Sequence, residues 1–257
     1  MLSTRFSFPN RSSLTRCLVL WGFVVAPSVH ADIITTGYSQ NFDLMVPNGW
    51  SVSNHNAPVG TYPDWYLGVD PASNSLSFPA FDGAVTSYAA ASYLGTDGNG
   101  KIDAWLISPE FGLKTGDAFS FYARQQDYLG SGNDRGYANA FQVRLSTNGT
   151  SLDIGSAYGD VGDFVKLALD VNPAFDLTGM PGEWTRYDFT YDGPDTNGRV
   201  AFRFYTPDVS RYGSYIGIDA FETTATVVPE PSSIIMMSIG TLYLVYRSKR
   251  KSETRRD

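Results

Sequence analysis

Short apolar runs, about 4–8 residues long and bounded by Gly, Asn, Asp and Pro, fill the chain from Asp32 onward. In one of them Phe119, Phe121 and Ala123 alternate with Ser120, Tyr122 and Arg124. In another Phe202 and Phe204 alternate with Ala201, Arg203 and Tyr205. A period of two sends successive side chains to opposite faces of a strand, so each run has one face suited to burial. The pattern predicts strands over Thr36–Phe42, Trp65–Val69, Ser87–Ala91, Ala104–Ile107 and Ala118–Arg124. It predicts others over Phe141–Ser146, Glu183–Tyr191, Arg199–Tyr205 and Tyr215–Phe221. Asp163–Val171 is ambiguous, because Phe164, Leu167, Ala168 and Val171 have the spacing of a short helix. About nine or ten strands without helical spacers predict an all-β fold, an antiparallel β-sandwich or jelly roll.

Both ends break this pattern. Met1 to Arg16 is basic and polar, Cys17 to Ala26 is apolar, and Val29-His30-Ala31 offers small residues at the −3 and −1 positions. That order is a secretory signal peptide, residues 1–31, cut after Ala31. Thr15 and Arg16 precede Cys17 where a lipoprotein would need small residues. At the other end Val228-Pro229-Glu230-Pro231 leads into Ser232-Ser233, an apolar run from Ile234 to Tyr246, and a basic cluster of Arg247, Lys249, Arg250 and Lys251. Prolines on both sides of a carboxylate keep the backbone extended and open to an enzyme cleft. The apolar run reads as a transmembrane helix, residues 232–246, and the basic tail, 247–257, as a cytoplasmic stop. A run of about 13–15 residues spans roughly 20–22 Å, short of the ~30 Å hydrocarbon core, which suits a temporary anchor.

This C-terminal order resembles the PEP-CTERM sorting signal of Gram-negative bacteria. The resemblance implies an exosortase-type processing enzyme acting at Val228, Pro229, Glu230 and Pro231, and a transient stay in the inner membrane. The family usually stops soon after its arginines, whereas Ser252 to Asp257 follow here.

Charge narrows the function of the middle. Residues 32–231 hold 10 Lys and Arg against 24 Asp and Glu, a net of 10 − 24 = −14. Such a domain repels nucleic acid and anionic membranes. Twenty of the 24 acids are Asp, which favours turns and suits oxygen-ligand calcium sites. Cys17 is the single cysteine, so the mature domain has no disulfide. Aromatic residues make up 14% of the chain, a level that fits a sheet-rich protein.

A succession of strings sharpens the fold. Gln40-Asn41-Phe42-Asp43 precedes Pro47-Asn48-Gly49-Trp50. Asp103-Ala104-Trp105-Leu106-Ile107-Ser108-Pro109, Gly116-Asp117-Ala118-Phe119-Ser120-Phe121 and Phe141-Gln142-Val143-Arg144-Leu145-Ser146 follow. Glu183-Trp184 opens a late strand and Ile216-Gly217-Ile218-Asp219 closes the domain. Over residues 32–226 this is similar to the choice-of-anchor J group, relatives of cleaved-adhesin and MAM-type jelly rolls. The resemblance implies a cell-surface, adhesion or biofilm module, not an enzyme. It also pairs Asp43 with Asp219, since related modules hold a structural Ca²⁺ where the first and last strands lie side by side.

The remaining chemistry is sparse. Asp97-Gly98-Asn99-Gly100-Lys101-Ile102-Asp103 matches the middle of an EF-hand loop and offers Asp97, Asn99 and Asp103 as an alternative calcium set. Gly95 and Leu106 stand where the first and the bidentate twelfth ligand belong. After signal cleavage His55 is the remaining histidine, in a polar Asn54-His55-Asn56 loop that reads as solvated. Acid pairs such as Asp160 and Asp163 lie in Gly-rich turns, and no two Glu have the spacing of a glycanase string. Aromatics in or beside loops, Trp50, Tyr62, Trp65, Tyr66, Tyr128, Tyr137, Tyr158 and Tyr212, read as a sugar-stacking platform or as packing. Three functions share this topology: a non-enzymatic surface module associated with exopolysaccharide, a glycan-binding module, and a polysaccharide hydrolase.

Overall fold

In a computed structural model, residues 37–128 and 136–228 are described. The strands are β1 (Tyr38–Gln40), β2 (Ser51–Asn54), β3 (Ala57–Val59), β4 (Tyr66–Leu67), β5 (Ala89–Ser92), β6 (Thr96–Ile107) and β7 (Phe111–Leu113). They continue with β8 (Ala118–Gln125), β9 (Phe141–Ser146), β10 (Lys166–Val171), β11 (Thr185–Thr190), β12 (Thr196–Thr206), β13 (Tyr215–Thr223) and β14 (Thr226–Val227). One helical turn, α1 (Val209–Tyr212), precedes β13. All pairings are antiparallel. One sheet runs β11-β8-β13-β5-β4, with β1 also on β13. The other runs β10-β9-β12-β6-β2, with β3 on β6, β7 on β12 and β14 on β7.

The two sheets pack face to face as a β-sandwich. Phe121 of β8 meets Phe202 of β12 at 4.9 Å between ring centroids, and Phe202 meets Phe221 of β13 at 5.8 Å. The alternation seen in the sequence fixes which residues turn inward. Phe119, Phe121 and Ala123 join the core while Ser120 and Tyr122 stay on the outer face. Ile102, Ala104 and Leu106 of β6 also turn inward, so Asp103, Trp105 and Ile107 face outward.

Long loops cover parts of both outer faces. The β4–β5 loop lays Phe78 on Tyr66, Tyr88 and Tyr215. The β9–β10 loop lays Ile154 and Phe164 on Trp105, Ile107 and Ala201. This second cover explains a departure from expectation. Residues 166–171, with helical spacing in sequence, are the edge strand β10. Phe164 belongs to the loop cover, and the register slips between Leu167 and Leu169, so the apolar residues serve different surfaces without forming a helix.

No helix among the described residues is long and apolar enough to cross a membrane. The signal peptide with Ala31, the residues Pro229, Glu230 and Pro231, the segment 232–246, and Arg247, Lys249, Arg250 and Lys251 lie outside the described residues.

Candidate functional site

The first strand, β1, lies beside β13, the last long strand, while the final strand β14 pairs with β7. β1 pairs with β13, Gln40 opposite Phe221. A bulge then interrupts β13: its register against β8 shifts between Asp219 and Glu222, and Ala220 sits at φ +47°. The extra residue lets Ile218 and Phe221 both reach the core and leaves Asp219 on the outer face. Its carboxylate is fully buried there. The N–H groups of Phe81 (2.9 Å) and Asp82 (3.1 Å) donate to Oδ2, and that of Ala220 (2.7 Å) to Oδ1. Burial raises its pKa to about 6; the backbone donors oppose the shift and the nearby Asp82 adds to it.

Asp43 reaches the same turn from the other side. Gly83 sits at φ +80°, and a Cβ there would stand 3.1 Å from Asp43 Oδ1. Asn41 donates to Asp82 Oδ2 at 2.9 Å and ties the two loops together. Asp43 and Asp219 therefore flank one turn, with Asp82 and Asn41 beside them. Sequence reasoning passed over Asp82, although Asp82-Gly83 carries a turn signature. Among the described residues no group of three or more His, Cys, Asp or Glu stands close enough to hold a metal ion. A cation here would need carbonyl oxygens and water to complete its shell.

The alternative set is not brought together. Val59 pairs with Thr96 and Ala57 with Lys101, so the four residues 97–100 swell out opposite Pro58 alone. Gly98 takes φ +61°, and a Cβ on Gly100 would meet Thr96 Oγ1 at 2.0 Å. Asp97 and Asn99 are exposed on this bulge. Asp103 lies buried further along β6 and is committed elsewhere. Arg203 donates to it from Nε (2.6 Å) and an NH₂ group (2.7 Å), Trp105 from Nε1 (2.7 Å) and Gly159 from its N–H (2.9 Å). A carboxylate neutralised by a guanidinium is a poor cation ligand, which corrects the expectation for Asp103.

The acids considered for hydrolysis hold turns. Asp160 accepts from the N–H groups of Ser156 and Ala157, which lower its pKa. Asp163 accepts from Asn148 and Ser151. Asp64, raised to about 6 by burial, accepts from the amides of Asn54 and Asn56. His55 is half-buried instead of solvated, and its N–H donates to the Asp103 carbonyl at 2.9 Å.

The aromatic platform also needs correction. Trp50, Trp65 and Tyr66 are 4%, 2% and 6% exposed and belong to the packing clusters. Tyr158 stacks on Tyr205 at 5.1 Å and fastens the β9–β10 loop to β12. Tyr128, Tyr137 and Tyr212 instead lie in connections between strands and form two ring pairs. Rings of Tyr128 and Tyr137 lie 5.7 Å apart, and Tyr212 packs on Phe175 at 4.8 Å. Burial, then Tyr137, Tyr93 and Asp70 nearby, push the Tyr128 phenol up, against a hydrogen bond with Ser214.

Buried polar groups hold these connections together. Asn139 donates to Gln125 (2.6 Å) and to the Ser214 hydroxyl (2.7 Å), and accepts from the Ser214 N–H (2.8 Å). Asn172 donates to the carbonyls of Asn139 (2.9 Å) and Asp176 (2.8 Å).

No protein-family model matches this chain. No curated protein matches it. Among solved structures, the K3 cleaved adhesin domain of Lys-gingipain from Porphyromonas gingivalis is similar at 19% identity and TM-score 0.51. That alignment covers 73% of this chain and 96% of the domain. The K1 cleaved adhesin domain of the same gingipain aligns at 19% identity and TM-score 0.48, over 72% and 96%. TmCBM61, solved with β-1,4-galactotriose, aligns at 14% identity and TM-score 0.39, over 72% and 97%. The K3 likeness shows a shared fold.

Proposed function

We propose that this chain is an exported, non-enzymatic surface or extracellular-matrix protein of a Gram-negative bacterium, sorted by an exosortase-type enzyme and associated with exopolysaccharide. One observation carries the reading, the join between sandwich and tail. β14 ends at Val227, and the Val228 N–H donates to the Glu110 carbonyl at 2.8 Å. Pro229 follows at once. Cleavage within 229–231 would release every described strand intact and leave the hydrophobic segment in the inner membrane.

The engaged acids support a non-catalytic role. General acid–base work needs a carboxyl within reach of substrate and of a partner acid. Asp103, Asp160, Asp163 and Asp219 instead hold an ion pair or turns in place. The K3 domain is an adhesin domain by description, and its likeness favours adhesion only as fold-level analogy.

A structural Ca²⁺ between Asp43 and Asp219 belongs to the same reading. A buried carboxylate beside Asp82 carries charge that a divalent ion would neutralise.

Processing is tested in the native host. Glu230→Ala should hold the full-length chain in the inner membrane, while wild-type surface material lacks peptides from 232–257. Peptides containing Tyr243 or Tyr246 in the surface fraction would overturn the cleavage. A reporter fused after Thr226 should be active outside the cytoplasm only.

A further inference from the structure

We propose that the loop end carrying Tyr93, Tyr128, Tyr137, Phe175 and Tyr212 binds a chain of uncharged pyranose sugars. The site rests on the reading of the protein as a matrix-associated module and says where, and with what chemistry, it meets polysaccharide.

Four separate connections deliver these rings. Tyr93 follows β5, Tyr128 and Tyr137 flank the start and finish of the β8–β9 connection, Phe175 follows β10 and Tyr212 closes α1. Hydrogen bonds bring the connections together. The Tyr93 N–H donates to the Ser214 carbonyl at 2.8 Å, and the Gln126 N–H to the Tyr215 carbonyl at 3.0 Å. Asn139 joins Gln125, Ser214 and Asn172 beneath them. Asn139 and Gln125 are fully buried, and Ser214 is 1% exposed.

A buried amide network is costly unless every member is satisfied, and once satisfied it fixes its surroundings in one arrangement. Here it lies beneath solvent-facing rings: Tyr93 and Tyr128 are each 45% exposed. An aromatic set held rigid before the ligand arrives loses little conformational entropy on binding. Asn172 at φ +61° and Phe175 at φ +54° add strain to the loop that presents Phe175. Strained backbone concentrates at binding sites because the surrounding structure must be built to hold it.

The chemistry of the end selects the partner. A pyranose offers an apolar C–H face to an aromatic ring and hydroxyl donors at its rim. Tyrosine provides the ring and a hydroxyl partner. The Asp70 charge acts on the Tyr128 phenol, and the exposed Asp176 follows Phe175 in the chain. With a net of −14 over residues 32–231 (10 basic, 24 acidic), the domain repels uronate or sulfate chains. Uncharged hexose or pentose polymers meet no such repulsion.

Affinity electrophoresis of the full chain in mild detergent tests this, with laminarin, hydroxyethylcellulose, neutral xylan and galactan as uncharged probes and alginate as the polyanion. The expected result is retardation by at least one uncharged polymer and none by alginate. Tyr93→Ser with Tyr128→Ser should weaken retardation at least tenfold with an unchanged melting midpoint. Phe81→Ala, which removes a similarly exposed ring stacked on Tyr122 on the outer face of β8, should leave it unchanged. Retardation by none of the four, equal retardation of the double variant, or retardation by alginate alone overturns the proposal. Export and processing do not use these tyrosines. A correctly sorted chain that binds no uncharged glycan therefore refutes this site and leaves the surface-protein reading standing.

Discussion

Asp103→Ala would strip three neighbours of their acceptor at once. Arg203 would lose two charge-assisted hydrogen bonds at 2.6 and 2.7 Å, Trp105 its Nε1 partner and Gly159 its N–H partner. The guanidinium cannot escape to water, since Arg203 is 3% exposed and lies between the rings of Trp105 (4.8 Å) and Tyr205 (4.4 Å). Gln142 Oε1 and the Asp160 carbonyl remain as weaker acceptors at 3.2 and 3.3 Å. Removing one member of a buried pair costs about 3–5 kcal/mol, because the other charge stays buried without compensation. For a domain of this size that lowers the melting midpoint by roughly 6–20 °C. Urea unfolding at pH 7 measures the change directly. Asp97→Ala on the exposed bulge serves as control, expected within about 0.5 kcal/mol of wild type. The double change Asp103→Leu with Arg203→Met should recover the part of the loss that comes from the stranded guanidinium, since apolar side chains of similar volume often replace a buried pair without penalty, while Trp105 Nε1 and the Gly159 N–H stay without their acceptor. A loss below about 1 kcal/mol for Asp103→Ala alone would refute the view that this pair anchors the β9–β10 loop to the sheet.

Three further outcomes follow from the same geometry. Adding EDTA should lower the wild-type melting midpoint and leave Asp219→Ala unmoved; an unmoved wild type excludes a structural calcium, and equal shifts put the ion elsewhere. In EDTA, Asp219 is held at about 6 against an ordinary 3.8, so the folded state keeps its proton longer. That contribution is full below about pH 3.8 and is lost as pH rises through about 6, so Asp219→Asn should flatten the fall in stability over that window, as read by urea midpoints. Gly68→Ala should destabilise by about 1–3 kcal/mol, since a Cβ there would stand 2.0 Å from the buried Tyr88 ring; a midpoint equal to wild type would show that the ring can yield.

Much of the sandwich was legible because a period of two is a local property. Phe141–Ser146 is β9 to the residue, and the runs around Phe119, Phe202 and Ile216 are β8, β12 and β13. β2, β3, β7 and β14 escaped notice because each is four residues or fewer and exists by pairing with a distant strand. β10 carried a misleading period, since Phe164 packs on Trp105 across the sheet face and Leu167 precedes a bulge.

The sequence alone determined the all-β class, the alternation that sorts core from surface, the acidic excess and the three-part order at each end. These depend on residue type and spacing along the chain. Tertiary structure decided the fate of each candidate side chain, because burial and pairing join residues far apart in sequence. Trp50 sits in loop-like sequence and Trp65 at the edge of a predicted strand, yet sheet packing closes over both. Asp103 looked like a calcium ligand until β12 brought Arg203, a hundred positions away, to its carboxylate. Asp43 and Asp219 needed the pairing of β1 with β13 and a bulge at Ala220 to face the same turn. The connections that carry Tyr128, Tyr137, Phe175 and Tyr212 are joined through buried Asn139, which donates to Gln125 and Ser214 and accepts from Asn172.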